Sequence, residues 1–182
     1  NNARDGGQYG LALRYFADFW NGVEFGLYYL KYHSRVPVIS GIAVTNTAPS
    51  SGSYFLEYPE DIDLIGLSWN TSLPGGIAFQ GEISYRDNMP LQIDDVELLF
   101  AGLTPLNAVL PQPALRFSSQ LGEFAPGEYV QGWDRHEVSQ IQSTFTKMIG
   151  PGNFLGADQI ALVGEIGATK IWDLPDASVL RY

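Results

Sequence analysis

The chain lacks cysteine, and it lacks any long apolar run. Because none of its 182 residues is cysteine, neither a disulfide nor a thiolate metal site can form. No apolar segment approaches the ~20 residues that a transmembrane helix requires. Ten Lys and Arg residues stand against twenty Asp and Glu residues, so the formal net charge is −10. This balance excludes the usual nucleic-acid-binding protein, since contacts with phosphate need clustered basic residues.

The sequence motifs of common enzymes are also missing. There is no Gly-x-Ser-x-Gly elbow, no His-Glu-x-x-His helix and no phosphate-binding loop. His33 and His136 are the two histidines, and His136 lies beside carboxylates in the segment Asp134–Glu137. Adjacency in sequence does not supply the geometry of a triad, so we expect both histidines at boundaries between strands and loops. The acidic run Glu57–Asp63 lacks the spacing of a calcium loop. We therefore predict no catalytic residue, no metal site and no cofactor.

Strict alternation of apolar and polar residues is what the chain does contain. The stretch Gly6–Ser34 reads GGQYGLALRYFADFWNGVEFGLYYLKYHS. Every second residue from Tyr9 to Phe19 is apolar or aromatic, apart from the small Ala17, and most of the residues between them are small, polar or charged. Asn21-Gly22 is a strong hairpin signal, because both residues tolerate positive φ. The pattern predicts a hairpin with strands at 8–19 and 23–33.

The hairpin pattern recurs twice more along the chain. Strands are predicted at 62–71 and 77–86 around Ser72-Leu73-Pro74-Gly75-Gly76, and at 138–149 and 158–171 around Gly150-Pro151-Gly152-Asn153. The connections within hairpins are short, whereas those between hairpins, roughly 34–61 and 87–137, are long. Long loops of this kind count against a compact soluble domain but are typical of outer-membrane β-barrels. A soluble β-sandwich is the competing interpretation.

The alternation assigns side chains to two faces. The apolar face is expected to contact lipid, and it carries Leu11, Leu13, Phe25, Leu27, Ile65, Leu67, Phe79, Ile83, Ile160 and Leu162. The polar face is expected to line a wet lumen, and it carries Arg14, Asp18, Glu24, Gln80, Glu82, Arg86, Gln140, Gln142 and Glu165. Charges of both signs predict a ladder of salt bridges and argue against a strongly ion-selective pore. Aromatic residues near strand ends match the girdles of barrels: Tyr9, Tyr15, Trp20, Tyr29, Trp69, Tyr85 and Trp172.

One short helix is predicted in the second long connection. Asp94 or Asp95 can cap it, and Thr104-Pro105 ends it. We expect its apolar face to be buried in a dry place, away from water. That face consists of Val96, Leu99, Phe100 and Leu103. The helix would either restrict the mouth of the barrel as a gate or pack on its own loop.

Three segments resemble a proteobacterial family known only as a domain of unknown function. They are Phe25–Pro37 (FGLYYLKYHSRVP), Tyr54–Gln92 (YFLEYPEDIDLIGLSWNTSLPGGIAFQGEISYRDNMPLQ) and Val138–Gly167, with SQIQSTFTK and QIALVGEIGA. Members are large Pseudomonas-type outer-membrane proteins. The resemblance implies that residues 1–182 form a single domain within a longer transmembrane antiparallel β-barrel in a Gram-negative outer membrane. Six strands are too few to close one, so the rest of the barrel or other chains must complete it.

The resemblance also implies a function. Members are often encoded beside a lipoprotein-like partner and an exporter of hydrophobic compounds, so we expect a porin-like channel or transporter for small hydrophobic compounds rather than an enzyme. The expected partners are outer-membrane lipid and lipopolysaccharide, a hydrophobic solute, and a periplasmic or lipoprotein partner. The alternatives are a barrel that docks a partner complex through its external loops and a soluble β-sandwich binding module.

Overall fold

The computed structural model describes residues 3–19 and 21–182. These residues form an all-β fold of antiparallel sheets with one short α-helix. The strands are β1 Tyr9–Ala17, β2 Val23–Tyr32, β3 Val38–Ile42, β4 Ser53–Glu57, β5 Ile62–Leu73, β6 Ile77–Gln92, β7 Tyr129–Val130, β8 Trp133–Ile149 and β9 Ile160–Ile171. The helix is α1 Asp95–Leu103, and 3-10 turns cover Pro49–Ser51, Thr104–Ala108 and Pro113–Leu115.

Six strands form a large sheet in the order β1-β2-β5-β6-β8-β9. Every neighbouring pair is antiparallel, so the three predicted hairpins are confirmed. β6 and β8 run further than the alternation indicates, and their register shifts between Arg86 and Met89. Within the described residues β1 and β9 lie at the two edges and do not pair with each other, so this sheet is open.

The turns of the first two hairpins use residues that accept positive φ. Asn21 has φ 63° and Gly22 has φ 82°, while Gly75 and Gly76 have φ 84° and 71°. These values match the backbone that a tight hairpin requires. Trp20, one of the predicted girdle aromatics, lies outside the described residues.

A second, three-stranded sheet has the order β4-β3-β7. Together with α1 it belongs to a unit that we call the cap, made of the segments 33–61, 93–132 and 172–182. All three segments leave the large sheet at the same end, opposite the hairpin turns. Buried Ala43, Leu98, Ala101 and Val130 form the centre of the cap. The prediction of loops in the two long connections was therefore incomplete, because it missed β3, β4 and β7.

Both faces of the large sheet are left uncovered by the described residues. Leu13 on one face is 56% exposed and Val163 on the other is 66% exposed. The three-stranded sheet contacts the large one chiefly through β3, against β6 and β8. The described residues thus supply no second layer for a β-sandwich. Within the same residues, no helix has the length and apolar character needed to cross a membrane.

Candidate functional site

The strand register aligns apolar side chains in continuous rows across the large sheet. One row crosses all six strands and consists of Leu13, Leu27, Leu67, Ile83, Ile141 and Ala168. Directly opposed residues of antiparallel strands point to the same side. The register therefore places all ten predicted apolar residues on one face, which we call the apolar face.

Aromatic and polar side chains border the apolar face. Towards the hairpin turns, the ring of Phe79 lies 4.7 Å from that of Phe145 and 5.9 Å from that of Trp69. Towards the cap, Lys31 Nζ lies 3.3 Å from Asp63 Oδ2. On β5 this face runs from Ile65 to Leu73, a span of nine residues that includes Thr71, or ~30 Å along the strand. With the ~45° tilt of a transmembrane strand, this would correspond to a height of ~21 Å, against ~25 Å for the apolar band of outer-membrane barrels.

The opposite face, which we call the polar face, carries eight of the nine residues predicted to line a lumen. They are Arg14, Glu24, Gln80, Glu82, Arg86, Gln140, Gln142 and Glu165. Asp18 is the exception, and its assignment is corrected here. Because β1 ends at Ala17, Asp18 lies in the turn, where the period of two no longer sets the direction of a side chain.

Hydrogen bonds on the polar face mostly join a charged side chain to a neutral one. Gln142 Nε2 donates a 2.9 Å hydrogen bond to Glu165 Oε1. Arg14 Nη1 lies 3.7 Å from Glu24 Oε1, and it is the one ion pair between the predicted lumen residues in the described part of the chain. Of the expected salt-bridge ladder, the described residues thus form one pair, and an exposed pair of this kind contributes little. A shallow hollow of about 340 Å³ is lined mostly by amides, hydroxyls and one carboxylate, including Ser68, Asn70, Gln80, Glu82, Gln142 and Thr144.

The helix α1 begins as the sequence predicts but turns a different face inward. Asp94 Oδ1 accepts hydrogen bonds from the backbone N–H of Val96 at 3.0 Å and of Glu97 at 3.2 Å, which confirms the N-cap. The buried residues of α1 are Glu97, Leu98 and Ala101. The expectation that the four apolar residues find a dry place holds only in part, because Val96, Leu99 and Phe100 are exposed and Leu103 is partly buried.

Glu97 explains why the helix is oriented this way. Its side chain is 2% exposed, and Oε2 accepts a 2.6 Å hydrogen bond from the backbone N–H of Gln120. Its other oxygen pairs with the guanidinium of Arg181. The Gln120 N–H and the Arg181 charge hold the pKa of Glu97 below its ordinary value, although burial opposes this. Nothing in the local sequence indicates that Glu97 is buried by pairing with Arg181, which is distant in the chain. The periodic pattern therefore assigned the wrong face of α1 to the interior.

A groove separates α1 from the three-stranded sheet. It has a volume of about 500 Å³. Leu99 and Leu103 line it from the helix, and Ile39, Val44 and Val130 line it from the strands and the segments beside them. Two of the four predicted gate residues therefore share one concave apolar surface. Of the other two, Phe100 packs instead towards Phe117, with ring centres 6.0 Å apart.

The two histidines tie chain segments together. The backbone N–H of Asp61 donates to His33 Nδ1 at 3.0 Å, and Nε2 lies 2.9 Å from the carbonyl oxygen of Gly6. His136 Nε2 lies 2.9 Å from the hydroxyl of Tyr182. His33 follows β2, and His136 lies near the start of β8. Neither arrangement resembles a triad.

The acidic run is occupied by protein donors. Glu57 Oε2 accepts hydrogen bonds from Tyr129 at 2.7 Å and from Trp133 at 3.0 Å. Asp61 pairs with Arg4 at 2.6 Å. The bond from Trp133, the first residue of β8, joins the cap to the large sheet. In residues 3–19 and 21–182, no three His, Asp or Glu side chains are grouped to hold a metal ion.

Comparison with known proteins gives one match. A family model described as a protein of unknown function, DUF1302, matches residues 1–181. The match therefore spans both sheets and the cap. No curated protein and no solved structure matches the chain.

Proposed function

The chain belongs to the DUF1302 family of proteins of unknown function, and we propose that it forms part of the wall of an outer-membrane β-barrel that passes small hydrophobic compounds. The observation that carries this proposal is the apolar face, whose aligned rows cover six strands and leave large Leu and Ile side chains exposed. The face opposite is polar along the same strands.

The energetics of the apolar face favour lipid over water. Soluble monomers rarely expose a contiguous apolar patch larger than a few hundred Å². Moving one Leu, Ile or Phe side chain out of water stabilises a protein by about 1.5–3 kcal/mol, and Leu13, Ile65 and Ile166 are all exposed. Acyl chains would cover this surface, whereas the amides and hydroxyls of the polar face are suited to a water-filled interior.

The open edges set a requirement for this proposal. β1 and β9 each present a row of backbone N–H and C=O groups without a strand beside them in the described residues. Within a bilayer each unsatisfied group costs several kcal/mol. Further strands, from a longer chain or from other copies, must therefore pair with Tyr9–Ala17 and Ile160–Ile171 to close the barrel.

The cap stands at one end of this wall, where it can control access. The gate role assigned to α1 is supported by its position in the longest connection, where lids and plugs of barrels commonly occur. The hydrophobic character of the solute rests on the resemblance to outer-membrane proteins encoded beside an exporter of hydrophobic compounds. A lipoprotein or periplasmic partner would meet the assembly through its loops.

A flux measurement tests the proposal. The closed assembly, with the strands that pair with β1 and β9, is reconstituted into lipid vesicles, and the passage of a neutral apolar dye is compared with that of a neutral sugar of similar mass. We expect the protein to accelerate passage of the dye above that of protein-free vesicles, and to remain in the vesicles after a carbonate wash. Dye passage equal to that of empty vesicles, with the protein inserted, would contradict transport.

A second candidate function is docking of a partner complex by the cap. It is favoured by exposed apolar residues on the cap outside the groove, among them Val96, Val109 and Leu115. Such scattered exposure is common on soluble surfaces, so this candidate ranks second. An inserted protein that moves neither solute would place it first.

A further inference from the structure

We propose that the groove between α1 and the strands β3 and β4 is a binding site for an uncharged, mainly apolar small molecule. The site lies wholly within the cap. It therefore goes beyond the proposed function, and it holds whether or not the large sheet lies in a membrane.

The shape of the groove is that of a ligand site. Its floor is made of buried Val44, Leu98 and Val130, and exposed Tyr54 and Leu99 stand at its rim. Its volume of about 500 Å³ falls within the ~300–1,000 Å³ typical of small-molecule pockets, which are also mainly apolar. A protein partner needs roughly 800 Å² of surface on each side. A cleft between a helix of nine residues and two strands of five does not offer that much.

The groove is held open by backbone contacts. The N–H of Val44 donates a 2.9 Å hydrogen bond to the carbonyl oxygen of Gly102, and the N–H of Ala43 donates a 2.9 Å bond to Glu128. The first bond fixes the end of α1 against the residues that follow β3, and the second ties those residues to the start of β7. Gly102 lines the groove, and a Cβ placed on it would have no atom within 4 Å. The space is therefore preformed, which lowers the cost of ordering a site when a ligand binds.

The lining argues against an anionic ligand. Among the described residues, Asp95 at the rim is the one charged residue that lines the groove, and no Lys, Arg or His side chain lines it. With a formal net charge of −10, the protein repels anions. The hydroxyls of Ser53 and Tyr54 also line the groove, and a few polar groups of this kind orient a ligand in an apolar pocket. A neutral ligand with one hydrogen-bonding group fits this lining.

The lack of native cysteine allows a direct test by thiol protection. Leu99→Cys places a thiol at the groove, and Leu115→Cys is the matched control, because the two leucines are 58% and 57% exposed. The maleimide reaction of each full-length variant is timed in mild detergent, with and without N-phenyl-1-naphthylamine. We expect the neutral probe to slow the reaction about tenfold at position 99 and to leave position 115 unchanged. Equal rates with and without probe at position 99, or equal slowing at both positions, would overturn the proposal.

Two further comparisons distinguish a specific binding site from nonspecific adsorption to apolar surface. The anionic analogue 8-anilinonaphthalene-1-sulfonate should protect position 99 much less than the neutral probe, and equal protection would contradict the charge argument. Gly102→Leu fills the groove, whereas Gly150→Leu adds the same side chain at a hairpin turn where a Cβ also has no atom within 4 Å. Far-UV circular dichroism checks that both fold. Binding of the neutral probe should fall about tenfold in Gly102→Leu and should persist in Gly150→Leu. Undiminished binding to folded Gly102→Leu would overturn the proposal.

Discussion

The indole ring of Trp69 lies over Gly81, its register partner on the neighbouring strand. A Cβ placed on Gly81 would overlap with ring atoms Cζ2 and Cε2 of Trp69 and would lie 2.7 Å from the carbonyl oxygen of Gln142. The ring thus occupies the space that a side chain would need. Trp69 Nε1 is buried and has no hydrogen-bond partner in the described residues.

Substitution at Gly81 is therefore expected to disrupt the apolar face. Gly81→Val should destabilise the protein by about 1–3 kcal/mol through overpacking, and it should shift the tryptophan emission as the Trp69 ring moves. Gly164→Val is the control, since Gly164 lies on the same face and a Cβ added to it would have no atom within 4 Å. Denaturant unfolding in detergent measures both variants. An equal effect of the two changes would show that the Trp69 contact has no special role.

The ion pair between Glu97 and Arg181 makes the cap sensitive to acid. The pKa of Glu97 is lowered in the folded protein, first by the Gln120 N–H, so its ionised form stabilises the cap above the ordinary glutamate pKa of about 4.3. This contribution is lost as the pH falls through the lowered folded value. Hydrogen exchange of the α1 amides, corrected for intrinsic rate, should accelerate in this acidic range.

Glu97→Gln supplies the comparison for the acid effect. It should loosen α1 at neutral pH by about 1.5–3 kcal/mol, the usual contribution of hydrogen bonds to a charged group, and should remove most of the acid dependence. Glu123→Gln, at an exposed position of the same connection, should change neither. An acid dependence that survives in Glu97→Gln would assign it to another group.

Gly132 controls the attachment of the cap to the large sheet. A Cβ there would overlap with the carbonyl oxygen of Ile39 and lie 2.9 Å from Leu98 Cδ2. Gly132→Ala should therefore weaken the cap by about 1–3 kcal/mol, whereas Gly102→Ala, in α1, should stabilise it by about 0.5–1 kcal/mol. Limited proteolysis of the cap reports both changes. Faster cleavage of Gly102→Ala than of Gly132→Ala would contradict this reading of the packing.

The large sheet could be predicted from sequence because its information is local. Alternation with a period of two, together with turns such as Asn21-Gly22, marks each hairpin without knowledge of the rest of the chain. The N-cap at Asp94 is local as well. Strand ends were less predictable. β6 continues to Gln92 through a register shift, and its last residues, Met89 to Gln92, pair with β8.

The cap could not be predicted because its contacts are distant in sequence. β3 and β4 are each five residues long, and β3 is also paired by Tyr129–Val130 from the other long connection. The buried face of α1 depends on Arg181, at the end of the chain. Neither relation leaves a periodic pattern in the sequence. The sequence therefore indicated only that the apolar residues of this connection need to pack against something, and it did not indicate the groove.

Charge placed on the two faces should have unequal effects on stability. Leu67→Arg puts a guanidinium on the apolar face and should cost about 2–4 kcal/mol at the middle of a bilayer. Gln80→Arg puts the same group on the polar face and should cost much less. Unfolding in lipid vesicles gives both values. A cost for Leu67→Arg no larger than that for Gln80→Arg would count against lipid contact.

We propose that one face of the large sheet contacts lipid and the other contacts water. Leu67 and Ser68 are neighbours on β5 and point to opposite faces, and each can carry a nitroxide through a single introduced cysteine. Electron paramagnetic resonance then compares the collision of each label with oxygen and with a water-soluble nickel chelate in vesicles containing the assembled protein. We expect the label at position 67 to collide preferentially with oxygen and the label at position 68 to collide preferentially with the nickel chelate. Equal preference at both positions, or the reverse, would contradict contact of one face with lipid and of the other with water.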